Sequence, residues 1–165
     1  MNSLQEAQNE ANKCLNCKVP MCQKGCPIST HIPQFIEQIK NGNLEEAYKI
    51  LQENNIMSNI CSNVCPYEEC CVGNCIKGIK GEPIQVNKLE KYVNNWAREN
   101  NVIYVNERQK SNNIKIAVVG SGPAGIECAV ELSKKGFEVT IFEKEEEIGG
   151  LLTYGIPGFR LPRDI

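Results

Sequence analysis

The sequence holds one histidine, His31, and one tryptophan, and aromatic residues fill only 6% of its 165 positions. A single imidazole excludes a centre built on several histidines. His31 itself follows Thr30 at an expected helix start and reads as a capping or surface residue. Positive charge is not in excess either: 18 Lys and Arg are interspersed with 20 Asp and Glu, giving a formal charge of −2. That balance lacks the electrostatic footprint of a protein that binds nucleic acid or an anionic membrane. Long apolar runs are also missing. The opening Met1-Asn2-Ser3-Leu4-Gln5-Glu6 has neither the basic nor the apolar part of a signal peptide, and no uncharged stretch is long enough to span a bilayer. The expectation is a cytoplasmic chain with no nucleic-acid and no membrane partner, and its 41% hydrophobic content suffices for one domain or two small ones.

What the chain has in quantity is cysteine, ten in all. In a chain without a secretory signal this number points to metal or redox chemistry over a disulfide framework. Nine fall between Cys14 and Cys75 in two groups: Cys14, Cys17, Cys22 and Cys26, then Cys61, Cys65, Cys70, Cys71 and Cys75. The tenth, Cys128, sits in an apolar helical stretch and reads as a small core residue. The first group, Cys14-x2-Cys17-x4-Cys22-x3-Cys26-Pro27, is close to the bacterial ferredoxin run but has a longer middle gap. A fourth cysteine before proline commonly reaches a different cluster from its three neighbours. Spacing alone also admits structural zinc in Cys-x2-Cys knuckles. Cys65-x5-Cys71-x3-Cys75 supplies three more thiolates, and Cys70 in place of Cys71 is an alternative register.

Periodicity predicts helices around these groups. Ser3 and Glu6 form a capping box before Leu4, Ala7 and Ala11. Ile32, Phe35, Ile36 and Ile39 share one face, with Ser29 or Thr30 as cap and Gly42 as stop. Asn43 caps a helix striped by Leu44, Ala47, Tyr48 and Leu51; residues 54–59 break the pattern, and a second cysteine-rich loop follows. From 84 to 98 a further helix turns Val86, Leu89, Val93 and Trp96 inward. Glu90 falls on that apolar face, where a carboxylate needs a cation or hydrogen-bond donors to be tolerated. Residues 100–113 are polar apart from 102–105, a run able to pair as a strand.

Beyond this linker the period changes. Residues 114–119 form an apolar strand, Gly120-Ser121-Gly122-Pro123-Ala124-Gly125 a tight turn opening a helix to about Lys135, and Phe137 to Phe142 a second strand. Gly120 permits the turn, Gly122 lets backbone approach a pyrophosphate, and Gly125 lets helix pack on strand. Glu143, ending the second strand, is placed to accept hydrogen bonds from ribose hydroxyls and to repel a 2′-phosphate. NAD and FAD both fit these features, and Gly149-Gly150 follows shortly after.

Taken together, Cys14-Leu-Asn-Cys17, Pro20-Met-Cys22, Gly25-Cys26-Pro27, Val64-Cys65-Pro66, Gly81-Glu82-Pro83-Ile84 and Leu89-Glu90 resemble the N-terminal domain of NADPH-dependent glutamate synthase small subunits. Similar domains occur in the flavin subunit of NADH-dependent reduced ferredoxin:NADP oxidoreductase and at the start of dihydropyrimidine dehydrogenase. Ser62-Asn63 and Val72 depart from the usual pattern. The resemblance implies two 4Fe-4S clusters on a helical scaffold, one held by Cys14, Cys17, Cys22 and Cys75, the other by Cys26, Cys65, Cys71 and Glu90, with Cys61 and Cys70 outside the ligand register. The run from Gly149-Gly150 to Pro162 resembles the FAD-domain continuation of the same family, which favours FAD at Gly120, Gly122, Pro123, Ala124, Gly125, Glu143 and Gly150. It further implies hydride transfer from NADPH or NADH to FAD, then single electrons through the clusters to an electron-accepting partner subunit, with no acid-base catalytic residue.

The expected fold class is therefore an α-helical twin 4Fe-4S, alpha-helical ferredoxin-like, domain over 1–105, a linker over 106–113, and at 114–165 the first βαβ unit of an α/β Rossmann FAD-binding domain. That last part is expected to be truncated and inactive in NADPH oxidation by itself. The rival reading is a non-catalytic zinc-knuckle interaction module fused to a nucleotide-binding βαβ unit.

Overall fold

The computed structural model describes residues 1–104 and 107–165; Val105 and Asn106, which end the expected 102–105 strand and begin the expected linker, lie outside the described residues. The chain forms two compact units, Met1–Tyr104 and Val105–Ile165. Each is taken by itself.

The first unit is helical. Helix α1, Leu4–Ala11, starts where Ser3 Oγ accepts the Glu6 N–H at 3.2 Å, and Glu6 accepts the Asn2 N–H at 2.9 Å in place of that of Ser3. Its two buried alanines leave room for close packing, and Gln8 Nε2 donates to Lys40 O at 3.1 Å, tying α1 to the end of α3, Ile32–Lys40. Between them lies the short α2, Met21–Lys24, inside the expected loop. Neither Ser29 nor Thr30 caps α3. His31 takes the N-cap position, exposed and without a capping side-chain bond, because buried Thr30 Oγ1 accepts the Cys26 thiol at 3.3 Å. Asn43 precedes α4, Leu44–Asn54, but its amide reaches back to Gln38 Oε1 at 3.2 Å and does not cap.

Helix α5, Ser58–Val64, replaces much of the second expected loop. Its serines and asparagines have poor helix propensity, since their side chains compete for backbone hydrogen bonds. Here two of those bonds run within the helix region, from Ser62 Oγ and Asn63 Nδ2 to Asn59 O, both at 2.8 Å. Packing on α6, Val86–Glu99, supplies the rest, because helices this short depend on tertiary contact. The core is one cluster, with Phe35, Ile36 and Ile39 of α3, Leu51 of α4 and Leu89 and Val93 of α6 at its centre. Each such side chain contributes about 1.5–3 kcal/mol by leaving water. Trp96, expected inward, is only partly buried against this cluster. Val102 to Tyr104 form no strand; Val102 N–H instead closes on Ala97 O at 2.8 Å.

The second unit carries β1, Lys115–Val119, then α7, Pro123–Lys134, then β2, Glu138–Phe142, and the short α8, Leu151–Tyr154. The strands pair in parallel, from Lys115 opposite Glu138 to Val119 opposite Phe142, which is the expected βαβ unit. Backbone bonds from Gln109 N to Lys134 O and from Asn112 N to Gly136 O fasten the preceding segment to this unit. Cys128 is exposed, not a core residue: two strands cover only the face of α7 that carries Ala129. Among the described residues, no helix is long and apolar enough to cross a membrane.

Candidate functional site

In the helical unit the cysteines ring two cavities. Cys14 follows the end of α1, its N–H closing on Ala11 O at 2.9 Å. Cys17 comes after Asn16, whose φ of 48° turns the loop, Cys22 sits in α2, and Cys75 immediately precedes a 3-10 turn, Ile76–Ile79. All four line one cavity, walled by apolar residues such as Ile36 and Ile84. Ile84 N–H donates to Cys75 Sγ at 3.5 Å, a backbone donor aimed at a sulfur. Burial pushes the Cys22 thiol up to about 11, and the neighbouring Cys75, Cys14 and Cys17 add to the rise.

Cys26, Cys65, Cys71 and Glu90 line a second cavity, together with Cys61 and Cys70. Cys65 is at the C-terminal end of α5, Cys71 is buried in the turn that follows, and Glu90 projects from α6. Burial pushes Cys65 up to about 12, with Cys70, Cys61 and Glu90 adding to it. Cys71 rises to about 12 through burial, then Glu90, Cys65 and Cys26. Cys71 thus faces the three other residues of its expected set. Burial also pushes the Glu90 carboxyl up to about 7, opposed by the hydrogen bond from Ser58 Oγ at 2.8 Å. Cysteines held this high are thiols near neutral pH, so binding a metal centre would release protons. Among the described residues, no three of His, Cys, Asp and Glu converge closely enough for a single metal ion. The donors encircle a space instead.

Ser58, Asn94, Asn55 and Asn87, which support or line this cavity, are not legible in the sequence. Ser58, fully buried, donates to Glu90 and accepts from Asn94 Nδ2 at 2.8 Å. Asn55 and Asn87 line the same cavity, and Asn55 Nδ2 and Asn87 Oδ1 are buried without hydrogen-bond partners in the protein. Buried polar atoms without partners are uncommon, and of those among the described residues only the ones on Asn55 and Asn87 belong to residues lining this cavity. Helical spacing of Ser58, Cys61, Ser62 and Cys65 is the signal that could have revealed α5 and its face.

In the second unit, Gly120 adopts a φ of 97°, which favours glycine, and a Cβ on Gly125 would lie 2.1 Å from Gly120 O. Gly122 is the N-cap of α7, with Pro123 and Ala124 in its first turn, so the helix N-terminus opens beside the turn. Gly150 approaches Gly122: its added Cβ would be 3.1 Å from the Gly122 Cα. Glu143 accepts from Ser121 N at 2.8 Å, Ser121 Oγ at 2.5 Å, Lys144 N at 2.8 Å and Glu145 N at 3.0 Å. These bonds, the Ser121 hydroxyl first, hold its carboxyl down at about 2. The parallel register places the end of β2 beside the β1 turn, so Glu143 meets Ser121 directly. Ser121, 1% exposed, also receives the Gly149 N–H on its carbonyl at 3.0 Å and on its hydroxyl at 3.2 Å. It too was missed from sequence, being the variable position between two glycines.

Two protein families match the chain. Residues 1–102 match the family described as dihydropyrimidine dehydrogenase domain II, 4Fe-4S cluster, and residues 118–163 match the NAD(P)-binding Rossmann-like domain. The chain is 37% identical over 162 residues to the glutamate synthase [NADPH] small chain of Azospirillum brasilense, covering 98% of this chain and 34% of that protein. It is 32% identical over 160 residues to the glutamate synthase [NADPH] small chain of Escherichia coli, with 97% and 34% covered. It is 35% identical over 159 residues to the NAD-dependent dihydropyrimidine dehydrogenase subunit PreT of Escherichia coli, with 96% and 38% covered. The chain spans about a third of the length of these relatives.

Proposed function

The chain belongs to the dihydropyrimidine dehydrogenase domain II 4Fe-4S cluster family, and on that premise we propose that it is the electron-transfer part of a larger NAD(P)H-dependent oxidoreductase. It would hold two 4Fe-4S clusters and FAD and serve an electron-accepting partner subunit. The observation that carries this reading is the pair of cavities, each lined by one complete expected set: Cys14, Cys17, Cys22 and Cys75 at the first, and Cys26, Cys65, Cys71 and Glu90 at the second. The proposed domains are 1–105 for the clusters, 106–113 as linker and 114–165 as the opening of the FAD domain. When bound, FAD accepts a hydride and the clusters carry single electrons onward.

The protein's own residues bind and tune. The apolar walls exclude water from the first cavity, and Ser58 and Asn94 hold the Glu90 carboxylate toward the second. The helix α7 N-terminus and the Gly120–Gly122 turn receive a pyrophosphate. Ribose hydroxyls would take over acceptor positions on Glu143 now served by Ser121 and backbone, and the carboxylate would repel a 2′-phosphate. Names of relatives support NADPH or NADH as the source of electrons and a larger subunit as their destination. The zinc-knuckle alternative is not favoured, because the matched family is one of 4Fe-4S domains.

Anaerobic purification followed by iron, sulfide and zinc analysis, with flavin titration, tests the reading. Roughly eight irons and eight sulfides per chain support it, and a colourless protein holding zinc sinks it.

A further inference from the structure

Asn55 caps the C-terminal end of α4 with extended backbone, 8% exposed, and its place is fixed at three points. Its N–H donates to Leu51 O at 2.9 Å, its carbonyl accepts from Ser58 N at 3.1 Å, and its Oδ1 accepts from Met57 N at 3.0 Å. The last bond settles the orientation of the amide, since only oxygen can accept from a backbone N–H. The other end is therefore Nδ2, a donor turned away from Met57, buried, and without a partner in the protein. The same residue lines the cavity ringed by Cys26, Cys65, Cys71 and Glu90. A buried donor left unmatched is destabilising, so a rigidly held one calls for an acceptor that arrives with whatever fills the cavity.

We propose that Asn55 Nδ2 donates a hydrogen bond to a sulfur of the second cluster and raises that cluster's reduction potential. The proposal rests on the two-cluster reading above. Reduction adds negative charge that is shared by the cluster sulfurs, and a donor stabilises the more negative state more strongly. No proton moves and no bond to iron changes. The two centres are then tuned by different means: a backbone N–H, that of Ile84, reaches Cys75 at the first cavity, whereas a side-chain amide serves the second. Asn55 is a positioning and tuning residue, not a ligand.

The test uses the full 165-residue chain, anaerobically loaded with iron and sulfide, as wild type, Asn55→Leu and Asn55→Asp. Leu removes the amide without adding charge. Asp keeps an oxygen that accepts from Met57 but replaces the donor with a charged oxygen that lowers a nearby midpoint by itself, so Asp reports that the side chain faces the cluster, and the uncharged Leu together with the ¹⁵N coupling reports the hydrogen bond. In variants that retain the wild-type iron content, redox titration should show one of two midpoints lowered in both, with the other unmoved. Wild-type chain labelled with ¹⁵N only in asparagine side chains should show a weak ¹⁵N hyperfine coupling at one reduced cluster, lost in the variants. Unmoved midpoints at full iron content, or no ¹⁵N coupling in the labelled wild type, overturn the proposal. Should a variant lose iron, the labelled wild type decides alone. A wild-type chain without two clusters would refute the underlying reading instead, and the iron count taken first separates the two failures.

Discussion

Ser58 and Glu90, 32 residues apart, are joined by a 2.8 Å hydrogen bond that bridges α5 and α6, and Asn94 Nδ2 donates to the same hydroxyl from one turn beyond Glu90. The serine is thus the hinge pin between two helices as well as the anchor of a carboxylate. Ser58→Ala removes both bonds in a buried place and should destabilise the helical unit by about 1–3 kcal/mol. Denaturant titration of the loaded chain, followed by helicity, measures this. An unchanged midpoint with unchanged slope would contradict it.

Cys70 and Cys71 both line the second cavity, but only Cys71 is buried against Glu90, Cys65 and Cys26. Cys71→Ser should therefore lower the iron content from roughly eight to roughly four per chain, while Cys70→Ser should leave it near eight. Iron analysis after anaerobic reconstitution distinguishes them, and the reverse result would assign Cys70 as the ligand.

Glu143 is held down at about 2 from an ordinary value of 4.5, first by the Ser121 hydroxyl. A carboxyl with a depressed value contributes stability that is complete above the ordinary value and is lost as pH falls toward the depressed one. The difference in thermal midpoint between wild type and Glu143→Gln should be constant above about pH 5 and close toward about pH 2. A difference that widens on acidification would be the wrong sign.

Gly125 cannot accept a side chain without displacing Gly120 O, which an added Cβ would approach to 2.1 Å. Gly125→Ala should abolish flavin binding by moving the turn, yet leave iron content at the wild-type level, because Gly120 and Gly125 belong to the second unit. Flavin fluorescence titration and iron analysis on the same sample give both readouts.

Much of this was legible in the sequence, for definable reasons. Ile32, Phe35, Ile36 and Ile39 announce α3 because one face must be apolar, and Gly120-x-Gly122-x-x-Gly125 announces a turn few other residues could form. Glu90 was conspicuous because a carboxylate on an apolar face demands a partner, and burial does push its carboxyl up to about 7. α5 was not legible. Ser58, Asn59, Ser62 and Asn63 are residues whose local preference runs against helix, and only contact with α6 reverses it. The same blindness hid Ser58, Asn55 and Ser121, whose importance comes from groups far away in sequence. Cys128 failed in the opposite sense: an apolar neighbourhood along the chain does not say how much sheet will cover the helix.

The first cavity joins Cys75 to Cys14, Cys17 and Cys22, and the second joins Glu90 to Cys26. Their chain segments interleave, so the ring around the first is not complete until synthesis has passed residue 75, and around the second until it has passed residue 90. Folding of this unit cannot proceed segment by segment from its N-terminus. On the two-cluster proposal, each filled centre would act as a long-range cross-link that closes loops spanning much of the unit and removes their entropy from the unfolded chain. On that proposal, assembly of the centres would therefore be coupled to folding of this unit.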